Sequence, residues 1–535
     1  MQDTPTHPSA NPSITDTNHR PRIQREAIKK IVHEKVVLNA GYINGEWSII
    51  EPSNQPTQPI EAEQELSNQH GLHPLYDPSM GAVIASTRLC DQSHVDRAAH
   101  AAANAFATWS QTSVSERADY LEAIASAMQA QFDTLVGLSV LNNGKPIEEA
   151  TIDVSDAIAC YRYYANLLTT QHTQPSQPNT TQIATNETGI RLLKTYAPVG
   201  VCALIVPWNF PMVTTAWKLA PALAAGCTVL LKPSELTLLP ELLLGNILTE
   251  IGLPKGVVNI LPGGATVGTA MTQHPLIDKV SFTGSNGVGE QVMVQAASGI
   301  KDISLELGGK SAIVVRADAD VQTACELIIG GIFSNAGQIC SATSRLLVHA
   351  DIAEALFEQL KIATENLTIG DGFDPDTQMG PVVSERQQQQ VQKYFAIATS
   401  ENLTCLTGGS LLQRQGYFVS PTIYIEVPTD SRLWQEEIFG PVLVCHTFRD
   451  DAKAIDLAND SQFALAASVV SQDEAVALSM AMQIQAGHIW INEQQIVVPE
   501  AGWGGFKQSG IGRELGTDGL AAYQKSKHIL LPKAD

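Results

Sequence analysis

The sequence predicts an α/β protein: a parallel, Rossmann-like sheet domain followed by a second α/β domain. Three observations carry this. Strand-like apolar runs alternate with helix-period runs from Val201 to about Gly309. The alternation restarts near Ser311 and continues to about residue 480. The short polar motifs fall at the ends of the strand-like runs, where open parallel sheets bind ligands.

Taken in order, residues 1 to about 38 lack periodicity and read as an irregular, partly disordered extension. Tyr42 to Trp47 ("YINGEW") reads as a first short strand, and the Pro-, Gln- and Ser-rich stretch from Glu51 to Gly71 as a surface insertion. Apolar residues at helical spacing mark helices over Val95–Trp109 and Glu116–Leu141. "GVCALIVP" is then a strand, "MVTTAWKLAPALAAG" a helix ending at Gly226, and "TVLLKP" a strand. "LPELLLGNILTEIG" is a helix and "VVNILPG" a strand, followed by the helix "TVGTAMTQHP" and the strand "KVSFTG". "NGVGEQVMVQAASG" is a helix and "DISLELGG" closes the series. "SAIVV", "SRLLVHA" and "GPVLVCHTF" are strands of the second region. The tail "GIGRELGTDGLAAYQKSKHILL" is expected to return and pair with another element or subunit.

Composition narrows the function. With 44% hydrophobic and 16% charged residues over 535 positions, the chain has material for two or three cored domains. A net charge of −22 disfavours an electrostatic grip on nucleic acid or anionic lipid. No apolar run reaches membrane-spanning length, and the first residues lack the pattern of a secretory signal. The 8 cysteines form no CxxC pair and no Cys/His cluster at metal spacing, so no metal is expected. They read as free thiols of a reducing compartment, hence a cytoplasmic protein.

Five motifs carry possible chemistry, each with a plainer reading beside it. Asn209 in "VPWNFP" follows a strand, where its amide can donate to a developing oxyanion or merely cap a helix. Lys232 and Glu235 in "LLKPSE" can hold ribose hydroxyls or decorate a solvated helix start. "FTGSNGVG" offers Gly284, Gly287 and Gly289 at a helix start, a phosphate cradle or an ordinary tight turn. Glu306 in "LELGGK" is a desolvated carboxylate suited to general-base work, or a structural partner of Lys310. Cys340 in "FSNAGQICSATSR" sits among small and polar neighbours, presented as a nucleophile or simply an inert thiol.

Together and in this order, these motifs resemble the aldehyde dehydrogenase superfamily, with "EEIFGPV" (Glu436–Val442) and "WGGFKQSGIGRELG" (Trp503–Gly516) completing the set. The resemblance runs from about residue 40 to the C-terminus. It implies an NAD-binding domain over 39–305 and a catalytic domain over 306–485; the extension over 1–38 and the insertion near 50–70 depart from the family. A segment over 486–535 would complete the NAD-binding and oligomerisation region, with part of a small oligomerisation arm near 165–195. It also implies a homodimer or homotetramer. Cys340 would attack the aldehyde carbon, Asn209 and the Cys340 amide would stabilise the oxyanion, and hydride transfer to NAD would leave a thioester. Glu306 would activate the water that hydrolyses it. The cofactor would be held by Val206, Pro207, Trp208, Lys232, Ser234, Glu235, Gly268, Phe282, Gly284, Ser285, Val288, Gly289, Leu307, Glu437 and Phe439. Relatives that pass the acyl group to coenzyme A typically lack the glutamate, so Glu306 favours hydrolysis.

The motifs around Cys340 and Trp503 look like the betaine aldehyde and aminoaldehyde branch, whose members hold an ammonium group in an aromatic box. Phe210, Trp217 and Trp503 are the rings available, with Glu500 placed to attract a cation. The match departs at Ser334, where the branch often has an aromatic residue, at Phe210 in place of tyrosine, and at His488, where a smaller residue is common. A general aliphatic or aromatic aldehyde therefore stays open as the substrate. So does a non-catalytic protein of the same fold, although Cys340, Glu306 and Asn209 are all present.

Overall fold

The computed structural model describes residues 23–51, 71–170, 181–183 and 190–532. The expected insertion and most of the first 38 residues lie outside them, as does much of the 165–195 segment.

Two sheets organise the chain. The first has eight strands, in sheet order Glu46–Ile49, Ala40–Ile43, Val258–Ile260, Thr228–Lys232, Val201–Ile205, Lys279–Thr283, Asp302–Glu306 and Gly510–Ile511. The five strands from Val258–Ile260 to Asp302–Glu306 pair in parallel, and the pairings beyond them are antiparallel. Among those five, chain order becomes sheet order 3-2-1-4-5, so the winding reverses between Val201–Ile205 and Lys279–Thr283. A crevice opens beyond the carboxyl ends at such a switch point. These strands read as continuous apolar runs because helices cover both faces; Val201–Ile205 and Thr228–Lys232 are buried at every position.

The second sheet has seven strands, with Ala312–Val315 between Arg345–His349 and Ala466–Val470. Its pairings are parallel except for the edge pair Thr404–Thr407 with Thr422–Ile425. Glu306 ends the fifth parallel strand of the first sheet, and Ala312 begins the core strand of the second. The carboxyl end of one sheet therefore faces the amino end of the other across Leu307–Ser311.

The tail does return: Gln524–Pro532 pairs antiparallel along Ile190–Pro198, which also pairs with Thr181–Ile183. The helix expected over Glu116–Leu141 is two, Val114–Ala130 and Phe132–Asn143, broken at Gln131. A further helix, Ile147–Thr170, which the sequence reading passed over, packs on both Val114–Ala130 and Pro211–Ala225.

One expectation needs correction. Residues 1–38 were expected to be irregular, but Arg25–Lys35 is a helix. Ile28 and Val32, one turn apart, are buried. Ile28 rests on Gly137, where any side chain would collide with it. Arg25 pairs with Asp77 at 3.1 Å and Asp371 at 2.5 Å and lies over the Phe373 ring. Two buried positions and one arginine are too few to register as periodicity, yet they suffice once a groove exists to receive them. Ile28→Ala should cost about 2–4 kcal/mol, read as a lower apparent Tm at unchanged specific activity of the folded fraction.

Candidate active site

The Cys340 loop starts as a strained turn. Helix Val321–Phe333 ends, and Asn335, Ala336 and Gly337 follow with φ of 47°, 52° and 73°. Three consecutive left-handed residues are costly and persist only when the surroundings over-determine them. Here they do. The Asn335 N–H donates to both oxygens of Glu149 at 2.9 Å, and the Gln338 side chain donates to Asn335 O at 2.8 Å. Gly337 passes so close to Gly440 that a Cβ would lie 2.1 Å from its carbonyl oxygen. The turn delivers Cys340 half-buried.

Glu306 reaches the same place from the other sheet. It is buried, and Gly308 and Gly309 follow it. A Cβ on Gly309 would sit 2.2 Å from Cys340 O, so only glycine allows the two backbones to meet. Asn209 is tied to the same loop, its amide donating to Gln338 O at 2.9 Å. It is not a helix cap: the cap position of Pro211–Ala225 is Phe210, and Asp153 from the neighbouring helix accepts from Val213 N at 2.9 Å. The structure thus brings Cys340, Glu306 and Asn209 together.

Desolvation governs their electrostatics. Burial, with the Glu437 and Glu306 carboxyls close by, pushes the Cys340 thiol up to about 12 against the pull of its own and Ser341 backbone amides. Burial likewise raises the Glu306 carboxyl well above the usual range, and Glu514 adds to this while Lys218 and Arg513 oppose it. Neither Glu306 oxygen has a hydrogen-bond partner among the described residues. Lys310 does not pair with it, and its own ammonium is unpartnered there and lowered to about 7 by burial. Behind Glu306, Lys218 and Glu514 form a buried ion pair that Ser281 joins.

Most of the expected cofactor residues fall at or just beyond the carboxyl ends of the parallel strands. Val206 N donates to Lys232 O at 3.1 Å, and Trp208 meets Phe439 edge-on at 5.3 Å between centroids, beside Pro207. Lys232 spends its ammonium on Gly263 O at 2.5 Å, Pro233 O at 3.1 Å and Glu235 at 3.4 Å. Burial raises the Glu235 carboxyl, but Lys232, its own backbone N–H and His73 together outweigh this and hold it below the usual range. The nearest helix starts only at Leu239, so Glu235 is no helix-start ornament. Ser234 Oγ accepts from Leu236 N, and Gly268 lies in helix Ala265–Gln273 near the Lys232 stem. Phe282 and Leu307 are buried, Val288 is exposed, and Gly284 N donates to Glu306 O at 3.0 Å. Ser285 caps helix Asn286–Ala297 in position without a side-chain bond, and Gly289 closes the first turn onto it. Glu437 accepts from Gly309 N at 2.9 Å and is raised to about 7 by burial.

The aromatic residues divide. Trp217 and Trp503 lie 5.5 Å apart and His488 stacks on Trp503 at 5.1 Å, with Trp490 completing the cluster. Burial lowers the His488 pKa, which keeps the ring neutral at physiological pH. Phe210 and Trp217 border the same apolar core as Cys340. The Phe210 face, however, is taken by Lys145, whose ammonium sits 3.7 Å from the centroid. Ser334 bonds back to Gly330 O and supplies no wall.

Sequence reasoning missed one acidic group. A cavity beside Trp217 is lined by Asp156, Ala159, Cys160, Val497, Pro499 and Leu515. Burial and the nearby Asp153 raise the Asp156 carboxyl to about 7. Glu149, Asp153 and Asp156 recur at helical spacing, which was the available signal; such spacing usually marks a solvated face, and here Asp153 is buried and the other two are half-buried.

Glu306 generates a prediction. Its raised pKa means the folded chain keeps a proton that the unfolded chain has lost, so stability falls as pH rises from about 5 toward the folded value, about 1.4 kcal/mol per unit. Glu306→Gln should therefore melt higher than wild type at pH 8, with the gap closing by pH 4, read by scanning fluorimetry across pH.

Comparison with known proteins agrees with this geometry. Residues 66–529 match the Aldehyde dehydrogenase family. Aminoaldehyde dehydrogenase 1, peroxisomal, of Pisum sativum is 43% identical over 478 residues, 88% of this chain and 94% of the relative. Betaine aldehyde dehydrogenase 1 of Oryza sativa subsp. japonica is 41% identical over 464 residues, 85% and 91% of the two chains. The crystal structure of betaine aldehyde dehydrogenase from Staphylococcus aureus in complex with NAD+ superposes with a TM-score of 0.88 at 34% identity, covering 96% of this chain and 98% of that one. With the Cys340, Glu306 and Asn209 loops meeting between two parallel sheets, the chain belongs to the aldehyde dehydrogenase family.

Proposed function

We propose that this enzyme oxidises aldehydes to carboxylic acids with NAD, and that its preferred substrates carry a cationic group, as betaine aldehyde and aminoaldehydes do. The reading of the reacting residues rests on one observation: the loops of Cys340, Glu306 and Asn209 meet, with the Glu306 carboxyl buried beside them.

The crevice fits the dinucleotide. The first-turn amides of Asn286–Ala297 have no side-chain cap, which leaves them to a pyrophosphate. Glu235, held ionised, suits ribose hydroxyls and repels a 2′-phosphate. Val206, Trp208, Phe439 and Glu437 would hold the nicotinamide end. When bound, NAD supplies the acceptor for the aldehyde hydride.

The chain's own groups do the rest. Cys340 gives its thiol proton to water and its sulfur bonds to the aldehyde carbon, while the carbonyl π pair moves onto oxygen as the oxyanion. Asn209 has one amide hydrogen on Gln338 O and one left for that oxygen. Loss of hydride reforms the carbonyl as a thioester on Cys340. Glu306, once ionised, takes a proton from water; the hydroxide adds to the thioester carbon, the carbon–sulfur bond breaks and the acid leaves. Lys218 and Arg513 favour the ionised Glu306 carboxylate, and Glu514 opposes it.

Asp156 supports the cationic substrate. Its carboxyl borders a cavity with Trp217, so a substrate ammonium would meet a carboxylate and an aromatic ring together. Trp503 and His488 extend the aromatic wall.

A homodimer or homotetramer is also proposed, since Gln524–Pro532 is an exposed edge strand and Val294 and Ile300 are exposed near the helix Asn286–Ala297. All eight cysteines are free, which supports residence in a reducing compartment such as the cytoplasm.

NADH formation with betaine aldehyde, 4-aminobutanal, hexanal and benzaldehyde tests the substrate class. Cationic aldehydes should lead in kcat/KM by about tenfold or more, and NADP should be poor; a lead for hexanal or benzaldehyde would overturn the cationic reading. Because Asp156 ionises near pH 7, the preference should grow from pH 6 to about pH 8. Asp156→Asn should abolish both the growth and most of the preference while leaving hexanal turnover unchanged. Cys340→Ala should retain NAD binding by fluorescence quenching and lose turnover; turnover retained would remove Cys340 as the nucleophile.

A further inference from the structure

The segment Asn142–Lys145, running from the end of helix Phe132–Asn143 into the turn before Ile147–Thr170, is absorbed by neither the cofactor nor the substrate reading, yet it grips the oxyanion loop. Asn143 Nδ2 donates to Trp208 O at 2.8 Å. Lys145 Nζ donates to Asn209 O at 2.7 Å. The same Asn209 oxygen accepts from Asn335 Nδ2 at 3.1 Å. Both lone pairs of that carbonyl are thus occupied, one from the Lys145 side and one from the nucleophile turn. The peptide plane after Asn209 is held from two directions, and its side-chain amide is held by Gln338 O.

A lysine is an expensive way to fill this position. Its side chain is fully buried, as is that of Asp153, 3.6 Å away. A buried ion pair seldom adds net stability over an apolar pair of the same shape. What the charge adds is a stronger, directional hydrogen bond to the carbonyl. The ammonium also lies against the Phe210 ring, the residue next to Asn209. Lys145 therefore touches the oxyanion loop on two consecutive residues, while Asp153 anchors it to the start of the helix that follows.

We propose that Lys145 is a positioning residue for the reaction: through Asn209 O it sets the direction of the Asn209 amide toward the developing oxyanion. The proposal rests on the reading of Asn209 as oxyanion donor. Lys145 does not touch the reacting atoms; it keeps the donor pre-aligned, so that no reorganisation is needed as charge develops.

The test is the pre-steady-state burst of NADH with 4-aminobutanal, which reports formation of the acyl-enzyme. Lys145→Met should slow the burst about tenfold or more, Lys145→Gln, which keeps a donor, should recover most of it, and NAD affinity should stay within about twofold. In an Asn209→Ala background, Lys145→Met should add less than about threefold, because the donor it aligns is gone. An equal fold-loss in both backgrounds, or a Lys145→Met burst at the wild-type rate, overturns the proposal. If Asn209→Ala leaves the burst unchanged, the oxyanion reading itself falls, and the positioning role with it. Lys145→Met leaves Asp153 as an unpaired buried carboxylate, so K145M/D153N measured against D153N alone gives the same comparison without that penalty. A K145M/D153N burst equal to that of D153N would sink the idea as surely.

Discussion

The reacting centre depends on the meeting of two backbones. Gly309 leaves the first sheet and Cys340 enters the second, so close that a single Cβ would come within 2.2 Å of Cys340 O. The carboxylate three residues before that glycine and the thiol are therefore set by the main chain, not by flexible side chains. The left-handed turn at Asn335–Gly337 has the same logic from the other side. Its strain is held in place by Glu149 and Gln338 and spent on fixing where the sulfur points.

Dryness is the second theme, and it works in both directions. Excluding water strengthens the interaction of the Asn209 amide with a developing charge. It also shifts the resting groups toward their neutral forms: the Cys340 thiol, Glu306, Glu437 and Asp156 all lie above their ordinary values. A site of neutral acids stores less repulsion than a site of carboxylates, and each can ionise when its turn comes. The Lys218–Glu514 pair and the Lys145–Asp153 pair supply compensated charge nearby without adding net charge.

Much of the fold was legible because buried parallel strands must be apolar throughout and the helices between them must be amphipathic. The eye could follow "GVCALIVP" through "DISLELGG" for that reason. The failures share one cause. The helix Arg25–Lys35 carries few buried residues, since it rests in a groove made by other elements. Helix Ile147–Thr170 presents Glu149, Asp153 and Asp156 inward, where burial rather than spacing gives them meaning. Phe210 looked available for an ammonium group until the structure placed Lys145 on its face.

Local sequence alone determined the strand–helix alternation of the first domain, the glycines at the strand ends and the presence of a cysteine, a carboxylate and an amide in motifs suited to acyl chemistry. Those are properties of short stretches, and periodicity and backbone freedom are written in short stretches. Only the tertiary structure decided which of those groups meet, which carboxylates are kept neutral and which lysine grips the Asn209 carbonyl. Each depends on atoms far apart in the chain: Lys145 and Asn209 are separated by 64 positions and Asn209 and Gln338 by 129. No local pattern encodes the loss of water between such groups, and it is that loss which sets their chemistry.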